Sequence, residues 1–355
     1  MSTDKTSAVA EAVDRQESQR QRWGGLAARL TQVNPAVMPT AAAVLLFVLM
    51  VGYGELSYGG IIQYNTLSNL LINNAHLIII AVGMTFVILT GGIDLSVGSV
   101  IAFSSVAGVM LAGAGWDPWL VVGLMVVIGA LFGLAAGVLV EHFNVQPFIA
   151  TLATMFLARG LASMLSTTPE RLADDSAIRS LAKPITIVDG PGVNDLVITP
   201  GGIIAILVVA AGFFVLHRTR MGRTAYAVGG SEQAATLMGL PVRSTRFLVY
   251  VVSGGLAGVA AVVYTSRLGI AQNITGIGWE LDAIAAVVIG GTLLTGGAGF
   301  VLGSAVGALV LGLMQLLIVR DGGINPEMTT VITGTILLIF VLLQRVVTMR
   351  RRSDT

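Results

Sequence analysis

No cysteine occurs in this 355-residue chain, which excludes a disulfide framework and any cysteine-ligated metal site. Charge is scarce too, at 11% of residues, against about 25% in a soluble domain. The 20 basic and 19 acidic side chains nearly cancel, so the balance points to no nucleic-acid partner. His76, His142 and His217 are the only histidines, far apart in sequence and at different depths. That spacing suggests neither a metal site nor a nucleophile–base pair, so no catalytic role is expected. No secretory signal is expected, because no apolar core with a cleavage site closely follows Arg20, Arg22 and Arg29 in the polar residues 1–35, and the first apolar run is span-like. This start reads as a disordered cytoplasmic tail.

What is abundant is apolar length: 55% of residues are hydrophobic and 44 are glycine. Many runs reach the ~20 residues that cross a bilayer, which predicts an all-α, polytopic integral membrane protein with membrane lipid as its solvent. Ten spans can be drawn, at 37–53, 67–89, 95–114, 119–140, 147–165, 197–216, 247–266, 281–294, 301–319 and 328–343. The third and eighth are short or broken by glycine. With the tail inside, the loop at 218–246, rich in Arg218, Arg220, Arg223, Arg243 and Arg246, falls in the cytoplasm. So does the tail at 346–355, with Arg350, Arg351 and Arg352, while the mixed-to-acidic loop at 167–196 falls outside. Residues 36–345 then form one transmembrane domain in the cytoplasmic membrane with both termini inside. Gly133/Gly137, Gly254/Gly258 and Gly303/Gly307 are small-xxx-small pairs that permit close helix packing.

The stretch Thr90-Gly91-Gly92-Ile93-Asp94-Leu95-Ser96 places a carboxylate between two apolar runs. Facing lipid it would cost roughly 2.5–3.5 kcal/mol, so Asp94 is expected at a helix break, turned toward the bundle interior or a polar cavity. It can cap the helix that begins at Leu95-Ser96, touch a passing solute, or do both. Thr90-Gly91-Gly92 and Gly98-Ser99 recur at the same spacing as Thr295-Gly296-Gly297 and Gly303-Ser304, with Gly299 standing where the first copy has Asp94.

The 218–246 loop has the punctuation of two short helices. Gly229 can close the first, and Ser231 can cap the second with Glu232 in its first turn. Gly239 then supplies a left-handed stop, and Pro241 prevents continuation. The second helix is expected to show Ala234, Ala235, Leu237 and Met238 either to a partner groove or to this chain's own spans.

TGGIDLSVGS at 90–99, EQAATLMGLP at 232–241 and ELDAIAAVVIGGTLLTGG at 280–297 together resemble ABC-importer permeases of the ribose/xylose/arabinose group. Within that group the similarity points to one of the two permeases of the bacterial galactofuranose importer, and it runs from Leu67 to Leu343. The resemblance implies a type II importer permease that forms a pathway for intact sugar with a second permease, as a homodimer or a heterodimer. Its other partners would be ATP-binding subunits and a periplasmic or lipid-anchored sugar-binding protein. It also implies that Ser231, Glu232, Ala234, Ala235 and Gly239 belong to the loop that docks on the ATPase. No cofactor is expected in this chain, with ATP and Mg held by the partner, and the absence of a G-x-x-x-x-G-K-[ST] loop agrees.

Asn69, Asn73 and His76 share one helical face and are pathway candidates, or else interhelical hydrogen-bonding groups. Arg159, midway along the fifth span, needs an acceptor or water. Glu280 and Asp282 can cap the eighth span or line the pathway mouth. A secondary transporter or facilitator is the competing class, and its sign would be a partner carboxylate for Asp94. An ABC permease for another small solute, such as a branched-chain amino acid, is the third reading.

Overall fold

The computed structural model describes residues 38–190 and 194–322, together with 328, 331–340 and 342. The tails read as 1–35 and 346–355 lie outside the described residues. The helices are α1 (Met38–Tyr58), α2 (Tyr64–Leu89), α3 (Val97–Gly113), α4 (Pro118–Glu141), α5 (Pro147–Leu165) and α6 (Pro200–Arg218). After these come α7 (Arg220–Gly230), α8 (Glu232–Leu237), α9 (Val242–Leu268), α10 (Trp279–Ile289) and α11 (Val301–Asp321). A shorter apolar helix, α12, covers Val331–Phe340.

A helix occurs at each of the ten expected spans, and among the described residues seven are long and apolar enough to cross a membrane: α1, α2, α4, α5, α6, α9 and α11. The chain is a multi-pass, all-α membrane protein. The eighth expected span is corrected by the structure. α10 has only 11 residues, about 16 Å at 1.5 Å per residue, or roughly half of a ~30 Å hydrocarbon core. Gly290 and Gly291 end it, the latter at φ +96°, and Leu293 and Leu294 lie in the turns that follow. The third span begins at Val97, two residues later than expected, because Leu95 and Ser96 belong to the break.

α2 is the axis of the bundle and is buried almost continuously from Asn74 to Leu89, against α9, α11, α6 and α10. α1 packs on α11 and turns Val44, Leu45, Val48, Leu49 and Leu56 outward, as a helix does against lipid. α4 and α9 meet backbone to backbone. A Cβ on Gly133 would come within 2.2 Å of the Tyr250 carbonyl, and one on Gly254 within 2.3 Å of the Gly129 carbonyl. In lipid, where no hydrophobic force separates helix from solvent, such close approach lets dispersion hold helices together. Gly129 joins the glycine pairs read from the sequence. Gly303 and Gly307 seat α11 on α10 in the same way, against the carbonyls of Gly290 and Ala286.

The helix ends follow local rules. Asp117 accepts from the Trp119 and Leu120 amides at 3.0 and 2.9 Å and so caps α4, with Pro118 in the first turn. Thr199 caps α6 from the Gly202 amide at 3.1 Å. The 167–196 loop carries a short strand β1 (Glu170–Arg171), a 3-10 turn and a β2–β3 hairpin of Ile185–Val188 with Leu196–Ile198. β1 pairs antiparallel with β4 (Ile270–Ala271), which ties this loop to the end of α9.

Candidate functional site

Four places carry the chemistry: the break at Asp94, a glycine junction, the 218–246 loop and a cavity at the opposite end of the bundle. Asp94 is wholly buried. Its Oδ1 accepts from the Ser96 amide at 2.9 Å and the Ser96 hydroxyl at 2.6 Å, and its Oδ2 accepts from the Ser253 hydroxyl of α9 at 2.7 Å. The carboxylate therefore turns the chain into α3 and pins that turn to α9. All three bonds are to neutral groups, and Asp94 lines neither cavity described below.

The two Thr-Gly-Gly turns, more than 200 residues apart in sequence, meet. The Gly297 amide donates to the Leu89 carbonyl at the end of α2, at 3.0 Å. Gly91, Gly296 and Gly297 stand at φ +80°, +82° and +77°, where a Cβ would be strained. Gly229 of α7 sits against both turns, since a Cβ there would lie 1.9 Å from the Leu89 carbonyl oxygen and 2.2 Å from the Gly297 amide. This contact is what Gly229 is for, because α7 does not close there and continues through Gly230. Nearby, the Tyr226 hydroxyl donates to the Gly299 carbonyl at 2.8 Å. Burial pushes that hydroxyl up to about 12, so it remains a donor at physiological pH.

In the loop, Ser231 accepts from the Ala234 amide at 3.2 Å and caps α8, and Gly239 ends it at φ +72°. Of the two readings open for the apolar residues of this helix, Ala235 takes the second: it is fully buried against Val228 and Val242 and fastens α8 to its own chain. Ala234 is exposed, and Leu237 and Met238 stand 89% and 66% exposed. Arg246 clamps the helix start: its Nε lies 2.9 Å from the Glu141 carboxylate at the end of α4, and its Nη1 donates to Glu232 at 2.5 Å. α8 is thus a clamped ledge with an apolar edge, on which Leu237 stands outside the apolar clusters of the described residues.

At the other end, a cavity of about 650 Å³ opens between α2, α9, α10 and α11, within the ~300–1,000 Å³ typical of small-molecule sites. Asn73, His76, Arg267, Trp279, Asp282 and Gln315 are among its walls. Of the three residues expected on one pathway face, Asn73 and His76 line it, whereas Asn69 is turned away and donates to Asn65 at 2.6 Å. Arg159 donates to the carbonyls of Asn273 and Thr275, both at 2.6 Å, and braces the chain ahead of α10. Glu280 and Asp282 make no side-chain cap on α10, whose N-cap residue is Gly278 in the left-handed region.

Comparison with known proteins decides the family. Residues 66–342 match the family described as branched-chain amino acid transport system, permease component. The chain belongs to this permease family. It is 51% identical over 317 residues to the fructose import permease protein FruG of Bifidobacterium longum, covering 89% of this chain and 93% of that one. It is 42% identical over 314 residues to the inner membrane ABC transporter permease protein YjfF of Escherichia coli, covering 87% and 92%. The ribose import permease protein RbsC of Escherichia coli is 36% identical over 257 residues, covering 71% and 77%. No solved structure matches the chain. The protein is a permease component and not an enzyme.

Sequence reasoning passed over several residues of this permease. Ser253 is invisible as Asp94's partner because 159 residues separate them. Asn73, His76 and Asp282 were legible as candidates for the cavity, whereas Trp279 and Gln315, which also line it, were not.

The Asp94 geometry predicts a split between two substitutions. Asp94→Asn keeps an acceptor for Ser96 and offers an amide donor to the Ser253 oxygen, so thermal stability in detergent should stay close to wild type. Asp94→Ala strands three buried donors at about 1–3 kcal/mol each and should lower the melting temperature by several degrees. Equal damage from both, with normal expression, would show that the charge itself is what matters.

Proposed function

We propose that this chain is the permease subunit of an ATP-driven importer that carries an intact monosaccharide across the bacterial cytoplasmic membrane. The observation that carries the reading is α8, a capped and stopped helix whose Leu237 and Met238 are exposed while Ala235 and Arg246 hold it in place. An apolar edge of this kind fits a groove on a partner protein. Its position directly after α7, which touches both glycine turns, makes it a handle on the helices behind it. A separate ATP-binding subunit, which holds ATP and Mg, is the partner the edge would meet. A periplasmic or lipid-anchored binding protein delivers the sugar at the opposite end, and a second permease completes the pathway.

The solute class rests on relatives named for fructose and ribose, which share only that they are monosaccharides. A self-sufficient secondary transporter is disfavoured by Asp94, because its hydrogen-bond partners among the described residues are serines and no second carboxylate. Asp94 acts as a structural anchor beside the pathway, with Ser96 as its local partner.

In the reconstituted importer, Leu237→Glu places a charge on the exposed edge of α8, and Gly239→Val strains its left-handed stop. Both variants should insert and assemble but lose the ATP hydrolysis that sugar-loaded binding protein stimulates. Full stimulation in both would overturn the docking role of α8.

Orientation is tested on a chain that has no cysteine of its own. A cysteine replacing Ser231 should resist an impermeant thiol reagent in intact cells, whereas one replacing the exposed Asp175 should react. Reversed labelling would invert the topology.

A further inference from the structure

The cavity at the end of the bundle opposite α8 has the chemistry of a sugar site. A monosaccharide presents an apolar C–H face and a rim of hydroxyls, so it is held by a flat aromatic surface together with planar polar side chains. Trp279 supplies the surface. Its indole lies 4.4 Å from the His76 ring and 4.8 Å, edge to face, from Tyr264, which fixes its plane. It also stands at the seam between the 650 Å³ cavity and a neighbouring one of 410 Å³. Asn73, Asp282 and Gln315 bring an amide, a carboxylate and a second amide to the same space from three different helices. The backbone of Asn73 is held by Arg267, whose Nη1 donates to its carbonyl at 3.4 Å.

We propose that this cavity is a transient monosaccharide seat within the permease, where Trp279 takes the C–H face of the ring and Asn73, Asp282 and Gln315 take its hydroxyls. The proposal rests on the permease reading above and adds a site that discriminates among solutes after the binding protein has released them. Amides and one carboxylate suit such a step, because a passing solute must be recognised and then let go. Arg267 and Asp282 together could also hold the two charges of an amino acid, so leucine is the decisive competitor.

The test uses the assembled importer in nanodiscs, with 5-fluorotryptophan in place of tryptophan. The fluorine resonance of Trp279 is identified by its loss in Trp279→Phe. Fructose and ribose should shift that resonance saturably at millimolar concentration without binding protein, and leucine should not. Asn73→Ala and Gln315→Ala should each raise the midpoint several-fold. Trp279→Ala should cut the maximal rate of sugar uptake while Trp279→Phe retains most of it, and Trp279→Leu, which keeps apolar bulk without an aromatic face, should fall with Ala, a split that a bulk packing role would not give. A saturable shift with leucine alone, or none with either sugar in a preparation that still imports sugar with ATP, would overturn the seat and leave the permease reading intact. Loss of ATP-driven uptake from the wild-type preparation would count against the permease reading itself.

Discussion

The hydrogen bond from the Gly297 amide to the Leu89 carbonyl, at 3.0 Å, is the constraint on which the arrangement depends. It closes the end of α2 against the turn that precedes α11, so two interrupted helices share one junction. A backbone group left unpaired inside a membrane protein costs several kcal/mol, and here each turn supplies the partner that the other lacks. Glycine is required because the chains approach to within the radius of a side chain. Gly229 of α7 fits into the same point, where a methyl group would overlap the Leu89 oxygen.

The rest of the molecule can be built outward from that junction. Above it, Asp94 converts the first turn into the start of α3 and fastens it to Ser253 of α9. α9 is in turn locked to α4 by Gly129, Gly133, Gly254 and Gly258. Below it, α7 leads through the single extended residue Ser231 into α8, and Arg246 joins α8 to the end of α4 through Glu232 and Glu141. A displacement of α8 therefore reaches both glycine turns through short, close-packed elements rather than through a flexible linker. The cavity with Trp279 lies at the far ends of α2, α9, α10 and α11. These are largely the helices that the junction and the glycine seams hold in register.

How much of this was legible in the sequence depended on how local each cause was. Ser231 as a cap and Gly239 as a left-handed stop follow from neighbours within a few residues, and they stand where the sequence puts them. The inward face of α8 did not follow, because Ala235 is claimed by Val228 and Val242, which only the folded loop brings together. α10 read as a span because Thr292, Leu293 and Leu294 continue its apolar run, while the turn at Gly290-Gly291 ends the helix. The repeat of Thr-Gly-Gly was visible as spacing alone, and its contact across the bundle could not be inferred from one chain's pattern. The cavity was half legible. Asn73 and His76 share a helical face, but their partners Trp279 and Gln315 come from helices far away in sequence.

The most direct test of a permease driven by a partner ATPase is uptake of labelled sugar into proteoliposomes of defined composition. With the second permease, the ATP-binding subunits, sugar-loaded binding protein and ATP all present, uptake should proceed. It should stop when a non-hydrolysable ATP analogue replaces ATP. Vesicles that hold this chain alone should accumulate no sugar under an ion gradient. Accumulation by the lone chain, driven by a proton or sodium gradient and indifferent to ATP, would contradict the account.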